Sequence, residues 1–323
     1  MATVLGGKGW ECGNDMYNDV EGSAGLAADL AVAHSGAYSL RVANALWARE
    51  AIGDANPSTS IWIYMGGGFD LTGAKLEFIL STGEMIRAQW NGVTHTIDAY
   101  VDDVLAASGS VEVRVNTWFH VQFYVEIADA GHIYMLIDGH ESINQAYDTQ
   151  PAGAATATYV RFTGHFQASG WNWIDDWVWG YDDYLGDLRC PDIRPNADTA
   201  QDDWTPSAGD NYSTVNETPP NDATYNETNT NGHIDELAMA DFDDTLMTPR
   251  AVVAYARVRM EGAFGDSFKV GIDSNGTDVT TEYTLSAAYE YYTHGADVDP
   301  DGDIAWTDAA VDALLLRYES VIA

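Results

Sequence analysis

Hydrophobic and polar positions alternate in short runs along most of the chain, which is the periodicity of half-buried strands rather than of helices. Ser60–Met65 reads SIWIYM and stops at three glycines, 66–68. Lys75–Leu80, a turn at Ser81-Thr82-Gly83-Glu84 and Met85–Trp90 read as a hairpin. Asn91-Gly92 marks another tight turn before Val93–Val101. Val111–Val115 alternates, and Trp118–Ile127 is rich in aromatic and β-branched residues. His132–Ile137 follows a turn at Asp129-Ala130-Gly131 and ends at Asp138-Gly139. Thr156–Thr163 and Trp171–Trp179 complete about ten strands, a count that suits a sandwich or jelly roll.

The pattern changes after Cys190. Residues 191–231 are rich in Pro, Asn, Asp, Thr and Ser, and the stretch is long for a structureless loop. It reads as an interdomain connector, wrapped over a surface and held by Trp204, Tyr212 and Tyr225. Strands resume at His233–Ala240, Ala251–Met260, Ser267–Ile272, Val279–Leu285 and Tyr289–Thr293, with a hairpin signal at Asn275-Gly276. One short helix is predicted near the end, capped by Thr307, with Asp308 in its first turn and Val311 and Leu314 on its apolar side. Leu315–Val321 can return as a strand. The expectation is therefore all-β: a jelly-roll sandwich over 1–190, a connector over 191–231, and a smaller β-sandwich-like domain with one short C-terminal helix over 232–323.

Charge narrows the partners. Fifty acidic residues stand against 14 basic ones, a net charge of −36, and only Lys8, Lys75 and Lys269 are lysines. Nucleic acid is a poor partner for such a chain, because phosphates need Lys and Arg to displace counterions. Anionic membrane surfaces are disfavoured likewise. No run approaches the roughly 20 apolar residues of a spanning helix, so membrane insertion is not expected. The acid-rich surface suits a saline habitat, an arginine-biased genome or an acidic virion component. Met1–Trp10 shows no secretory signal pattern, which suggests synthesis in the cytoplasm. Cys12 and Cys190 either pair or remain two thiols. Asn211, Asn216, Asn226 and Asn275 lie in sequons, but glycosylation is not expected without a signal.

Two segments carry candidate chemistry. In an unbroken strand WNWIDDWVWGY, Trp171, Trp173, Asp175, Trp177, Trp179 and Tyr181 share one face. Such a row is a sandwich core, a subunit contact or a platform for sugar rings. In DVDPDGDIAWTD, Asp297, Asp299, Asp301, Asp303 and Asp308 fall at positions that an oxygen-rich calcium loop would use, with Gly302 at the sixth. Pro300, an aspartate at the twelfth position and the lack of a first helix leave a solvated acidic turn as the other reading. No further cofactor is expected. Motifs for serine hydrolases, zinc proteases and nucleotide-binding loops are absent, and the eight histidines are scattered, so no catalytic residue and no enzyme is expected.

Two resemblances follow from named residues. His34-Ser35-Gly36-Ala37-Tyr38-Ser39-Leu40-Arg41-Val42, Trp118-Phe119-His120-Val121, Gly131–Tyr134 with Ile137-Asp138-Gly139, and Ile174-Asp175-Asp176-Trp177-Val178 resemble strands of concanavalin-A-like and laminin-G-like jelly rolls. This implies the fold and says little of function. The E-x-D-x-x-E strand of sugar-cleaving members is missing, which argues against glycanase activity. Gly186–Arg189, Trp204–Tyr212, Asn216–Pro220 with Asp222, and Trp306–Leu314 resemble minor virion structural proteins of tailed phages. That implies a component of a virion surface, as head decoration, head or neck fibre, or tail appendage. Its partners would be other virion proteins, further copies of itself, with a trimer favoured, and a host-surface glycan. The alternatives are a cellular carbohydrate-binding protein and, less favoured, a polysaccharide-degrading enzyme.

Overall fold

The computed structural model describes residues 3–8, 20–21, 26–29, 33–34, 39–43, 47–66, 74–153, 155–164, 171–188, 190–217, 221–242, 248–261 and 266–322. The chain forms two compact units, Met1–Pro191 and Asp192–Ala323.

The first unit is a jelly-roll sandwich of two antiparallel sheets. The larger runs His140–Tyr147 (β13), Gly131–Ile137 (β12), Trp118–Glu126 (β11), Pro57–Gly66 (β6), Trp171–Tyr181 (β15), Ser39–Ala43 (β4) and Leu26–Asp29 (β3), and Thr3–Lys8 (β1) also pairs with β15. The second runs Val104–Ala107 (β10), Thr96–Val101 (β9), Met85–Asn91 (β8), Lys75–Leu80 (β7), Ala157–Thr163 (β14), Trp47–Asp54 (β5) and Val20–Glu21 (β2). Alternation decides which side chains face the partner sheet. Ile61, Ile63 and Met65 of β6 and Phe119, Val121 and Phe123 of β11 point inward. They meet Leu76, Phe78 and Leu80 of β7 and Val160 and Phe162 of β14, and Phe78 stacks on Phe123 at 5.2 Å. Hairpins close where left-handed backbone is tolerated: Asp102-Asp103 between β9 and β10, and Asp138-Gly139 between β12 and β13, have positive φ at both central residues. Val111–Val115 is not a strand. Val113 donates one backbone bond to His95, and no ladder forms.

In the second unit a five-stranded sheet runs Pro195–Asp202 (β16), Ile234–Met239 (β19), Leu315–Val321 (β24), Ser267–Ser274 (β21) and Thr277–Thr284 (β22). Two ribbons, Thr205–Pro206 (β17) with Asn226–Glu227 (β18) and Val252–Val258 (β20) with Glu290–Ala296 (β23), complete it. Its own core contains Leu237, Phe268, Val270, Ile272, Tyr292, Trp306 and Val311. Asn275-Gly276 makes the β21–β22 turn, and Thr307 caps the helix Asp308–Ala313 (α1) through the Ala310 amide.

The stretch read as a connector is part of this second unit. β16 joins the sheet beside β19, and a buried polar network ties the following residues down. Asp235 accepts from the Trp204 amide at 2.8 Å, the Asn211 side chain at 2.7 Å and the Tyr318 hydroxyl at 2.7 Å. Asn226 donates to the same hydroxyl. Burial pushes the Asp235 carboxyl above the usual carboxylate range, although these three donors pull it back. Burial and the Asp235 carboxyl raise the Tyr318 phenol well above its ordinary value, so it stays protonated and donates.

Candidate functional site

The outer face of the larger sheet holds a connected set of rings. Because Ile61, Ile63 and Met65 face the core, Trp62 and Tyr64 face out, and the same reasoning turns Trp118 and His120 outward on β11. Cross-strand register then lines them up. Arg41 on β4, Trp173 on β15, Tyr64 on β6 and Trp118 on β11 are successive partners, and Asp175, Trp62 and His120 form the next row. Tyr64 meets Trp173 edge-on at 5.4 Å and Trp118 at 5.7 Å. His34 lies flat on Trp62 at 3.8 Å and edge-on to Trp118 at 5.5 Å, and Trp62 also stacks on His120 at 5.1 Å. Trp62, Tyr64, Trp118, Trp173 and Arg41 are half-buried, each with part of its surface open.

A bulge in β15 creates this face. Against β6, Asp175 pairs with Trp62 and Val178 with Ser60, so β15 carries one extra residue between them. Asp176 absorbs it with φ 45°. One extra residue reverses which side chains face the core. The expected row is therefore split. Trp173 faces out, whereas Trp177 and Trp179 lie in the core at 0% and 6% exposure, and the Trp177 indole donates to Thr59. Tyr181 is half-buried at the strand end. The side chain of Trp171 lies outside the described residues, as does Cys12, so the question whether it pairs with Cys190 falls outside them too.

Both bulge carboxylates are fully buried and act as positioning groups. Asp175 accepts from the backbone N–H of His34 at 2.9 Å and from that of Asp176. Asp176 contacts His34 Nδ1 at 2.9 Å and accepts from the Cys190 amide. The pair thereby fixes the His34 ring against Trp62. A second device holds His120. The Ser60 hydroxyl donates to the Gly186 carbonyl at 2.8 Å, so His120 Nε2, 2.7 Å away, is the donor to Ser60. The loop that carries Gly186 is pinned further by Gln122, which accepts from the Gly186 amide, and by Asp187, which accepts from the Trp62 indole. Beyond this loop a second ring group follows: Tyr134 stacks on His132 at 4.1 Å and on Tyr124 at 5.3 Å. Burial and Glu126 push the Tyr124 phenol up to about 12.

Burial lowers the His120 pKa, against the opposing pull of Asp187 and Asp138. The unfolded chain takes up this proton near the ordinary value of about 6.5, and the folded chain only below that. Between those values the unfolded state holds the extra proton, so the first unit loses stability as pH falls below about 6.5. Thermal unfolding at pH 7 and pH 5 should show this fall. His120→Gln, which keeps a donor for Ser60, should flatten it; an unchanged slope would remove His120 as the cause.

The acidic loop is built differently. Asp299 is buried and its carboxylate accepts from the Ser274 hydroxyl and the Asp301 amide. Asp301 accepts from the Asn275 side chain, and Asp308 starts α1. Asp297, Asp299, Asp301, Asp303 and Asp308 do not converge. Among the described residues, the ligating side chains that come within 4.8 Å of one another are those of Glu236, Asp273 and Asp278. There Arg317 pairs with Glu236 and lies 3.3 Å from Asp278, which makes the group an ion-pair network. No helix among the described residues is long and apolar enough to cross a membrane.

The sequence marked Trp173 but not Trp62, Tyr64, Trp118, His34 or His120 as site residues. The signal was the alternation itself: in SIWIYM the rings fall opposite the aliphatic residues.

No family model matches this chain, and no curated protein matches it. Solved structures similar to it include an alginate lyase, Aly36B, at 14% identity, covering 51% of this chain and 86% of that one with TM-score 0.38. An endo-beta-1,4-glucuronan lyase from the fungus Trichoderma reesei is 9% identical, with 56% and 96% covered and TM-score 0.39. A protein of unknown function with a galectin-like fold from Bacillus subtilis is 13% identical, with 56% and 98% covered and TM-score 0.41. The expectation of no enzyme is corrected by the presence of polysaccharide lyases among these structures. The motifs whose absence motivated it belong to other chemistries. Likenesses of this degree assign no activity to the chain.

Proposed function

We propose that this protein binds glycans, and that sugar rings dock on the outer face of the larger sheet of the first unit. The observation that carries this reading is the contiguous set Trp173, Tyr64, Trp118, His34 and Trp62, half-open to solvent, with His34 held in place by buried Asp175 and Asp176. Large rigid rings give contact area at small entropic cost and match the apolar faces of pyranoses. Arg41 and His34 at the margin are donors for sugar hydroxyls. The whole chain on an array of neutral oligosaccharides should retain at least one of them, and Trp118→Ala should lose it. Retention of none would overturn the reading.

The virion resemblance of Gly186–Arg189, Trp204–Tyr212 and Trp306–Leu314 supports a second reading, compatible with the first. In it the glycan-binding face is displayed on a tailed-virus particle, with other virion proteins and further copies of this chain as neighbours. Mass spectrometry of purified particles should find the chain at a stoichiometric level; its absence there would exclude this station.

A further inference from the structure

The outer face of the second sheet has a different chemistry, and it gathers bases in a chain that has few. Strands β5, β14, β7, β8 and β9 lie side by side in that order. Their register places Arg49 opposite Arg161, Arg161 opposite Glu77, Glu77 opposite Arg87, and Arg87 opposite Tyr100. The adjacent row is Trp47, Thr163, Lys75, Gln89 and Asp98. Four of the 14 basic residues therefore share one sheet face of a protein with net charge −36.

The guanidinium groups are held in fixed positions. Glu77 is 1% exposed and accepts from Arg161 Nε at 2.8 Å and from the Thr163 hydroxyl at 2.7 Å. Arg87 is 7% exposed, donates to Gln89 at 3.0 Å and to the Asp103 carboxylate, and lies over the Tyr100 ring at 4.8 Å, so it braces the row from within and does not meet a ligand itself. Arg49 lies over Tyr159 at 4.2 Å and over Trp47 at 4.9 Å. Preorganised cations of this kind lose little freedom on meeting an anion. Arg49, Lys75, Arg161, Trp47 and Tyr159 all keep part of their surface open.

We infer that this face binds a polysaccharide bearing a carboxylate on its sugar residues, a polyuronate, at a site separate from the aromatic face of the other sheet. The guanidinium fork matches a carboxylate in two parallel hydrogen bonds. Neighbouring strands lie about 4.8 Å apart, so the strands of Arg49, Arg161 and Lys75, the bases that keep open surface, follow one another at single strand spacings. A polymer laid across the strands presents a carboxylate on every ring, so several bases engage one chain together. Trp47 and Tyr159, half-open beside Arg49, offer stacking surfaces for the rings that carry those carboxylates. The acidic remainder of the molecule repels a polyanion everywhere else, which confines binding to this patch.

The experiment is calorimetric titration of the whole chain with an oligogalacturonate and with its carboxyl-reduced, neutral counterpart. We expect saturable binding of the acidic oligomer, weakened by salt, and at least tenfold weaker binding of the neutral one. Arg49→Gln combined with Lys75→Gln should weaken oligogalacturonate binding at least tenfold with the thermal transition unchanged, and Lys75→Gln alone should weaken it in part. Trp173→Ala, on the opposite face, should leave it intact. The inference is overturned if the acidic oligomer is not bound, if the double variant binds it as the native chain does, or if Trp173→Ala abolishes it. Tighter binding of a sulfated glycan or single-stranded DNA than of the uronate overturns the choice of ligand. Failure of neutral glycans to bind the aromatic face leaves this site standing, so the two readings fail separately.

Discussion

Trp177→Ala is expected to destabilise the first unit by about 3–5 kcal/mol, whereas Trp173→Ala, four residues earlier on the same strand, should cost about 1–2 kcal/mol. Trp177 has no exposed surface, and its indole N–H is satisfied by Thr59. Truncation leaves a large cavity between the sheets, and the surrounding β-ladder cannot collapse to fill it. For a unit of this size the larger figure corresponds to a fall in melting temperature of about 10 °C or more. Trp173 is half-buried, keeps part of its surface in solvent, and its losses include the edge-on contact with Tyr64. Thermal unfolding of the two variants side by side checks the difference. Equal losses would mean that the bulge at Asp175-Asp176 does not reverse the strand as described.

Asp235→Ala should be comparably damaging, and confined to the second unit. The substitution leaves the Trp204 amide, the Asn211 side chain and the Tyr318 hydroxyl without their acceptor. Each buried donor left unmade costs about 1–3 kcal/mol, so a loss of about 3–5 kcal/mol is expected. Asp235→Asn keeps one acceptor oxygen and the volume, and relieves the burial of a charge; it should cost about 1–2 kcal/mol. Amide exchange in β19 and β24 should speed up strongly in the alanine variant while β6 and β11 stay protected. Unchanged exchange in β19 would show that the network does not hold the 191–231 stretch in place.

The strands of the first unit were legible because alternation and turn chemistry agree. Asp138-Gly139 and Asn275-Gly276 are turns in sequence and in structure for the same reason, positive φ at both central residues. The bulge was not legible. WNWIDDWVWGY keeps its period whether or not one residue is extra, and only pairing with β6 reveals that Asp176 is the insertion. The aromatic face was half legible: Trp62 and Tyr64 alternate with aliphatic residues in one run, but their meeting with Trp118 and Trp173 depends on partners more than 50 residues away. The basic row was invisible for the same reason: Lys75 and Arg87 share one hairpin, but Arg49 and Arg161 reach them only through the pairing of β5, β14 and β7. The 191–231 stretch has the composition of a linker. Its order comes from a buried aspartate on β19, beyond its own end. The acidic loop has the spacing of a calcium site, and two of its carboxylates, Asp299 and Asp301, accept from a neighbouring hydroxyl, amide and asparagine side chain.

Docking of sugars on the outer face of the larger sheet can be read out by amide and indole chemical-shift mapping on addition of a neutral glycan that the native chain retains. Perturbations centred on Trp62, Tyr64, Trp118 and Trp173 are expected, with the Trp177 indole and the second unit little changed. Perturbations centred on another surface, with those four residues unmoved, would contradict it.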